Sequence, residues 1–488
     1  MGICCPKSLS ENELRANALP RPGAIKNTLP TIVDSIDSLI VQRSDFIYKS
    51  DQEFVRLYNL HEKLAEFEST SFESYRGCRI DCEEKSRVIL CHSTPLNLSY
   101  HEIRRYLDHP HIGKSFEYYE NDLTTYVVCE KYDGGELFDY IATKKTLVEE
   151  EAAYIMRQLL LAVNFLHQNQ ICVRSISPEN ILFATKDFDA PIKLVGFSKA
   201  SFCKTGAKLT DVCGVPFYMA PDVLKGEYGI ECDIWSCGVL LYVMLSGYPP
   251  FTAANDKMLM KKILQGRYDF NGEEWDKVSE KAKNFVRRLL EYDPIKRPTA
   301  LEALSDPWIQ QFKFAPPEKQ IDMVFENIKR FKPKNKLQEL IWFFITDSVV
   351  EESLKKDLPK FFEAFDFSND GKISREDLLM RYDLPTVEAV MKNVDINRSG
   401  YIEYSEFVAA TLDRNEVLTK ERITCAFKPL DVNRDGRINF ADLKATFKHS
   451  DERLATEKVW DQLILLADHD NDGLLSLDDI LAVMSNMS

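Results

Sequence analysis

Apolar positions change their period along this chain. Over 46–130 they fall in short β-branched and aromatic runs, such as 87–90 and 126–129, which predict strands. Over 135–310 they recur at helical spacing, and 149–167 and 233–246 predict long helices. Residues 1–45 carry Pro20, Pro22 and Pro30 among mixed polar positions with little periodicity, and predict a disordered tail. A strand-rich piece (46–130) followed by a larger helical one (131–310) predicts a two-lobed body.

A bridge follows within 311–350. Ile321, Val324, Phe325, Ile328 and Phe331 lie at helical spacing beside the basic run Lys329, Arg330, Lys332, Lys334 and Lys336. Leu337, Ile341, Trp342 and Phe344 continue the apolar stripe. The pattern over 317–345 reads either as a basic amphipathic helix of the kind calcium-sensor lobes grip or as a helix with one solvated and one packed face. Pro333 should kink or break it. Over 351–488, Phe361, Phe362, Phe365, Phe407 and Phe427 flank acidic loops and read as core.

Those loops carry the clearest chemistry. Four twelve-residue segments begin at Asp366, Asp395, Asp431 and Asp468, with glycine at position six (Gly371, Gly400, Gly436, Gly473) and Ile or Leu at position eight. A hard divalent cation takes six to eight oxygens, and a tightly turned loop converges them from positions one, three, five, seven (by its carbonyl), nine and twelve. The first loop offers Asp366, Ser368, Asp370, Lys372, Ser374 and Asp377; the second Asp395, Asn397, Ser399, Tyr401, Glu403 and Glu406. The third offers Asp431, Asn433, Asp435, Arg437, Asn439 and Asp442; the fourth Asp468, Asp470, Asp472, Leu474, Ser476 and Asp479. Up to four calcium ions are expected. Position twelve is Glu only in loop two. Asp is a methylene shorter, so magnesium should compete at loops one, three and four, and loop two should discriminate best. The residue at position eight should pair neighbouring loops in a short strand.

Length and composition fit this division. At 488 residues, about three domains are expected. About ten of the fifteen net negative charges lie in 361–488, so the acidity is explained by cation ligands and argues against nucleic acid. Twelve scattered cysteines without metal spacing point to a reducing, cytoplasmic setting. The start Met1-Gly2-Ile3-Cys4-Cys5 offers Gly2, Cys4 and Cys5 for lipidation, which would tether the chain to a membrane surface. Pro6 stands where acylation favours Ser or Thr, and the alternative is an unmodified tail.

Several motifs are those of a known family. Gly134-Gly135-Glu136-Leu137-Phe138, Pro178-Glu179-Asn180, the segment Gly214-Val215-Pro216-Phe217-Tyr218-Met219-Ala220-Pro221-Asp222, Asp233-Ile234-Trp235-Ser236-Cys237-Gly238 and Lys296-Arg297-Pro298 occur in order, ahead of the four loops. Together they resemble the calcium-dependent protein kinases of plants and apicomplexan parasites. The resemblance implies a multidomain α+β chain: a bilobal protein-kinase-like fold (46–310), a junction helix (311–350), then an all-α calmodulin-like pair of EF-hand lobes (351–488). It also implies an Asp222–Arg297 pair, and that Asp233 caps backbone near the catalytic loop.

Against that family the catalytic positions are degenerate. Phosphoryl transfer needs phosphates cradled, metal held and a hydroxyl positioned. No glycine occurs between Gly23 and Gly77, where a glycine-rich turn belongs. Leu90 stands at the strand lysine, Tyr100 at its helical glutamate partner, Ser175 at the catalytic aspartate, Ser177 at the lysine that steadies phosphate, and Gly196 at the metal-binding aspartate. A neutral serine is no base near pH 7. Arg174, Asn180 and Phe197 then read as relics, and no ATP is expected. The leading expectation is a pseudokinase that works as a calcium-switched scaffold or regulator, with calcium-dependent protein partners and the 317–345 helix as its intramolecular one. The alternatives are a serine/threonine kinase with unconventional ATP handling, and a calcium buffer.

Overall fold

The computed structural model describes residues 48–50, 54–67, 72–79, 82–92, 102–104, 106–120, 124–187, 189–334, 336–447 and 456–485. Gly2, Cys4, Cys5, the 1–45 tail and Tyr100 lie outside the described residues. Among the described residues, no helix is long and apolar enough to cross a membrane.

The strand-forming runs build one sheet: β1 (Tyr48–Ser50), β2 (Tyr58–Phe67), β3 (Phe72–Arg79), β4 (Cys82–His92), β5 (Ser115–Glu120) and β6 (Thr125–Cys129), in the order β1-β5-β6-β4-β3-β2. Its pairings are antiparallel except β1 with β5. Alternation sends successive side chains of β4 to opposite faces. Ile89 joins Phe54, Tyr58, Tyr119 and Val128 in a small outer core. Leu90, paired in register with Val127, instead packs against the large cluster that runs into the helical lobe.

That lobe is organised by α1 (Glu149–Gln168) and α2 (Glu231–Ser246). α2 is buried almost all round, as its run of apolar residues requires. The two structural pairs implied by the resemblance are present. Arg297 Nη2 donates to Asp222 Oδ1 at 2.9 Å, and Asp233 accepts from the Val173 and Arg174 N–H groups at 2.9 Å each.

The bridge is two helices, α3 (Glu318–Arg330) and α4 (Lys336–Phe344), separated at Pro333. The proline ring cannot continue the helix, and the break lets both apolar stripes enter one core. Ile321, Phe325, Ile341 and Trp342 are buried in the same cluster as the phenylalanines of α5 (Leu358–Phe365) and α6 (Tyr404–Thr411). Lys329, Arg330, Lys332 and Lys334 stay exposed. The bridge is thus gripped by the helical C-terminal region, with its basic side in solvent.

This C-terminal region lies against the body along a polar seam. Arg157 Nε and His111 Nε2 approach the two carboxylate oxygens of Glu363 at 3.2 and 3.1 Å. Lys193 pairs with Glu352 at 3.1 Å, and Lys114 with Asp347 at 2.6 Å. Arg87 and Lys114 donate to the carbonyls of Ser348 and Asp347, at 2.6 Å each, in the π-helical turn after α4. The seam encloses a cavity of about 20 Å³.

Candidate functional site

Two regions carry candidate chemistry. In the cleft of the body, Ser175 Oγ donates to the Gly196 carbonyl at 2.8 Å, and Asn180 Nδ2 donates to the Ser175 carbonyl at 2.8 Å. Gly196 adopts φ +79°, a conformation that favours glycine. A Cβ there would fall well inside contact distance of the Asn180 amide. At this backbone, an added Cβ would require the Asn180 side chain to shift. Ser177 Oγ is buried with no hydrogen-bond partner among the described residues. Phe197 is buried in the main cluster, and Arg174 donates to the Lys199 carbonyl and to Tyr228 Oη. Leu90, Ser175, Ser177, Asn180 and Gly196 are all neutral, so none of these positions supplies a balancing charge for a magnesium–triphosphate group.

One acidic feature of the cleft survives. Burial, together with Asp139 and Glu179, raises the Glu136 carboxyl above its usual range. The rim therefore carries clustered acids, Glu136, Asp139 and Glu179.

The calcium loops are fully formed. In loop one, Asp366 accepts from the N–H groups of Asp370 and Gly371 at 3.2 and 2.8 Å. Asp395, Asp431 and Asp468 make the same bonds to positions five and six of their loops. Each position-six glycine has positive φ, which lets the chain turn back on itself. The position-eight residues pair as expected, Ile373 with Ile402 and Ile438 with Leu475.

Position twelve closes each loop. Glu406 accepts from the N–H groups of Ile396, Asn397 and Glu403 at 2.8, 3.1 and 2.9 Å. Asp377 reaches Ser368 and Ser374, Asp442 reaches Asn433 and Asn439, and Asp479 reaches His469 and Ser476. The shorter aspartates still span their loops with both oxygens, which the sequence comparison with Glu did not anticipate.

The electrostatics fit a cation. Burial, with Asp370 beside it, pushes the Asp366 carboxyl up to about 7. Burial also raises Asp370 and Asp395, and burial with Glu403 raises Glu406 well above the usual range. In loop four, carboxylate oxygens of Asp468, Asp470 and Asp472 lie within 4.8 Å of one another. Converging acids of this kind are compensated when a divalent ion supplies the missing charge.

Sequence reasoning missed the residues that fasten the first loop to the body: His109, Arg157, Asn164 and Phe165. They sit more than 200 residues from their partners, and no local pattern marks them.

Comparison with known proteins agrees with this architecture. Residues 98–309 match the protein kinase domain, and 355–412 and 420–485 match the EF-hand domain pair. The chain is 33% identical over 395 residues to calcium-dependent protein kinase 4 of Plasmodium falciparum (isolate 3D7), covering 76% of this chain and 74% of that protein. It is 37% identical over 336 residues to calcium-dependent protein kinase 3 of Plasmodium berghei (strain Anka), covering 67% of this chain and 60% of that one.

Proposed function

The chain belongs to the calcium-dependent protein kinase family, and from that premise we propose that it is a calcium-binding pseudokinase acting as a calcium-switched scaffold or regulator. The observation that carries the proposal is the metal position: glycine stands at 196 without a carboxylate, a Cβ there would meet the Asn180 amide, and Ser175 donates to the Gly196 carbonyl. Leu90 packed into the apolar cluster supports it independently, because no ammonium stands there for the phosphates. The body keeps its fold and its acidic rim at Glu136 and Glu179, a surface suited to a basic peptide that is held without being phosphorylated.

The sensor supplies the switch. Its core grips α3 and α4, and its outer surface covers part of the body along the seam. Ion occupancy of the four loops then sets which face of the body partners meet. Loop two, with Glu406, is the most calcium-selective, and loops one, three and four admit magnesium. Lipidation at Gly2, Cys4 and Cys5 would place the assembly at a membrane surface. The domain division at 45, 310 and 350 is part of the same proposal.

The deciding experiment is nucleotide binding and phosphate transfer by the full chain, with calcium and with chelator. The expected result is no magnesium-dependent thermal shift and no transfer to peptide, together with a partner set that differs between the two conditions. The relatives are named as protein kinases, and this favours the second reading, an enzyme with unconventional ATP handling. Robust transfer that Asn180→Ala abolishes would establish that reading instead.

A further inference from the structure

The four position-six glycines share one backbone conformation, with φ of +82°, +91°, +83° and +83°. Their surroundings differ. A Cβ on Gly400, Gly436 or Gly473 would meet nothing within 4 Å. A Cβ on Gly371 would lie 2.7 Å from His109 and 2.7 Å from Phe165, both in the kinase-like body. Two hydrogen bonds fasten the same turn: Asn164 Nδ2 donates to the Asn369 carbonyl at 2.6 Å, and Arg157 Nη2 to Asn369 Oδ1 at 3.4 Å. Asn369 is position four of the loop and sits at φ +55°, in the left-handed region. Asn164 and Phe165 belong to α1, a helix anchored in the main core, so the body presents a rigid surface to the loop.

A loop must be ordered before its oxygens converge on an ion. A surface that already holds the turn removes part of that ordering entropy and raises affinity without touching the ion. We propose that the kinase-like body is an effector of the first calcium loop: α1, docked on residues 369–371, and the ion in loop one each strengthen the binding of the other. Coupling of this kind is reciprocal, so calcium at loop one holds the sensor to the body by the same factor. Loop two joins indirectly, through the Ile373–Ile402 pairing and the Ser405 N–H that donates to Asp108 at 3.1 Å. Loops three and four, whose turn glycines are open, serve as internal comparators. The inference rests on calcium binding by the loops and is independent of whether the body transfers phosphate.

The test uses the full chain, with calcium titrated calorimetrically and docking followed by small-angle scattering. Asn164→Ala alters no ion ligand. It should weaken the loop-one site about fivefold, the scale of one hydrogen bond, and change nothing in an Asp366→Ala background. Asn164→Ser is the companion variant should alanine disturb α1, and the melting temperature of the body controls for folding. Gly371→Ala and Gly436→Ala place the same side chain at the same φ. Both should weaken their own sites, but only Gly371→Ala should abolish the calcium-dependent compaction. The proposal is overturned if Asn164→Ala and Asn164→Ser leave the isotherm unchanged, if the fivefold loss persists in the Asp366→Ala background, or if the two glycine variants scatter alike. An unsubstituted chain that binds no calcium would overturn both this coupling and the sensor reading.

Discussion

Gly196 shows how a single position can close off a chemistry. Its φ of +79° is one that glycine adopts freely and other residues only occasionally, and a Cβ there would press on the Asn180 amide. Replacing it with aspartate should therefore lower stability by about 1–3 kcal/mol rather than rebuild a metal site. Gly196→Asp combined with Ser175→Asp and Leu90→Lys should still transfer no phosphate, as a peptide phosphorylation assay would show; recovered transfer would mean the cleft is less committed than its packing indicates. At loop two, Glu406 bridges three backbone N–H groups and is the longest of the closing carboxylates. Glu406→Gln should reduce calcium affinity at that site by about tenfold, and an unchanged titration would reverse the ranking of the loops. Both residues were legible in the sequence because their chemistry is local: a ligand at a fixed position in a twelve-residue loop, a missing carboxylate in a known motif. The approach of the Asn180 amide to the open side of Gly196 was not legible, since it depends on how two separate turns come together.

Between residues and domains, the element that matters most is the broken bridge. Pro333 announced the interruption, and helical spacing on either side announced the two apolar stripes; which lobe would bury them did not follow from periodicity. Trp342 explains the choice. It is fully buried in the sensor core, and its Nε1 donates to the Ala409 carbonyl of α6 at 2.7 Å. Gln338 of the same helix donates to the Val483 carbonyl at 2.8 Å, near the far end of the sensor. α4 thus ties the first EF-hand pair to the end of the second, and Trp342→Ala should destabilise that region by about 3–5 kcal/mol. Urea unfolding of the full chain should show the loss in a sensor transition separate from that of the body. The turn that follows, Ile345–Val349, is π-helical and capped by Arg87 and Lys114. Nothing in its sequence marks that geometry, because the cations that satisfy its carbonyls, Arg87 in β4 and Lys114 just before β5, lie far earlier in the chain.

For the whole molecule, the seam between body and sensor decides whether the two parts act as one. Lys193 is buried, and its partner Glu352 resists protonation: burial pushes the carboxyl up, but Lys193 and Lys355 outweigh this and hold it at about 2. Undocked, the same group would protonate near its ordinary value of 4.5. Its contribution to docking is then fully present above pH 4.5 and fades as pH falls from 4.5 towards 2. Scattering through this range should show the sensor releasing, and Glu352→Gln should remove that component of the acid dependence. Buried pairs are also screened less than exposed ones, so Lys193–Glu352 should outlast in high salt the more exposed pair between Lys356 and Asp189. The sharper test is a double-substitution cycle. Lys193→Met leaves Glu352 beside Glu130 with Lys355 and Lys114 still near, and Glu352→Met leaves Lys193 with Glu130; each should weaken docking, by less than the ~3–5 kcal/mol of a wholly unpaired buried charge. Together they remove both charges and leave an apolar contact, so the double variant should lose far less than the sum. Strictly additive losses would mean that the two groups do not sense each other, and the hold of sensor on body would then rest on the other seam contacts, among them Glu363, Lys114–Asp347, Lys356–Asp189 and the first calcium loop.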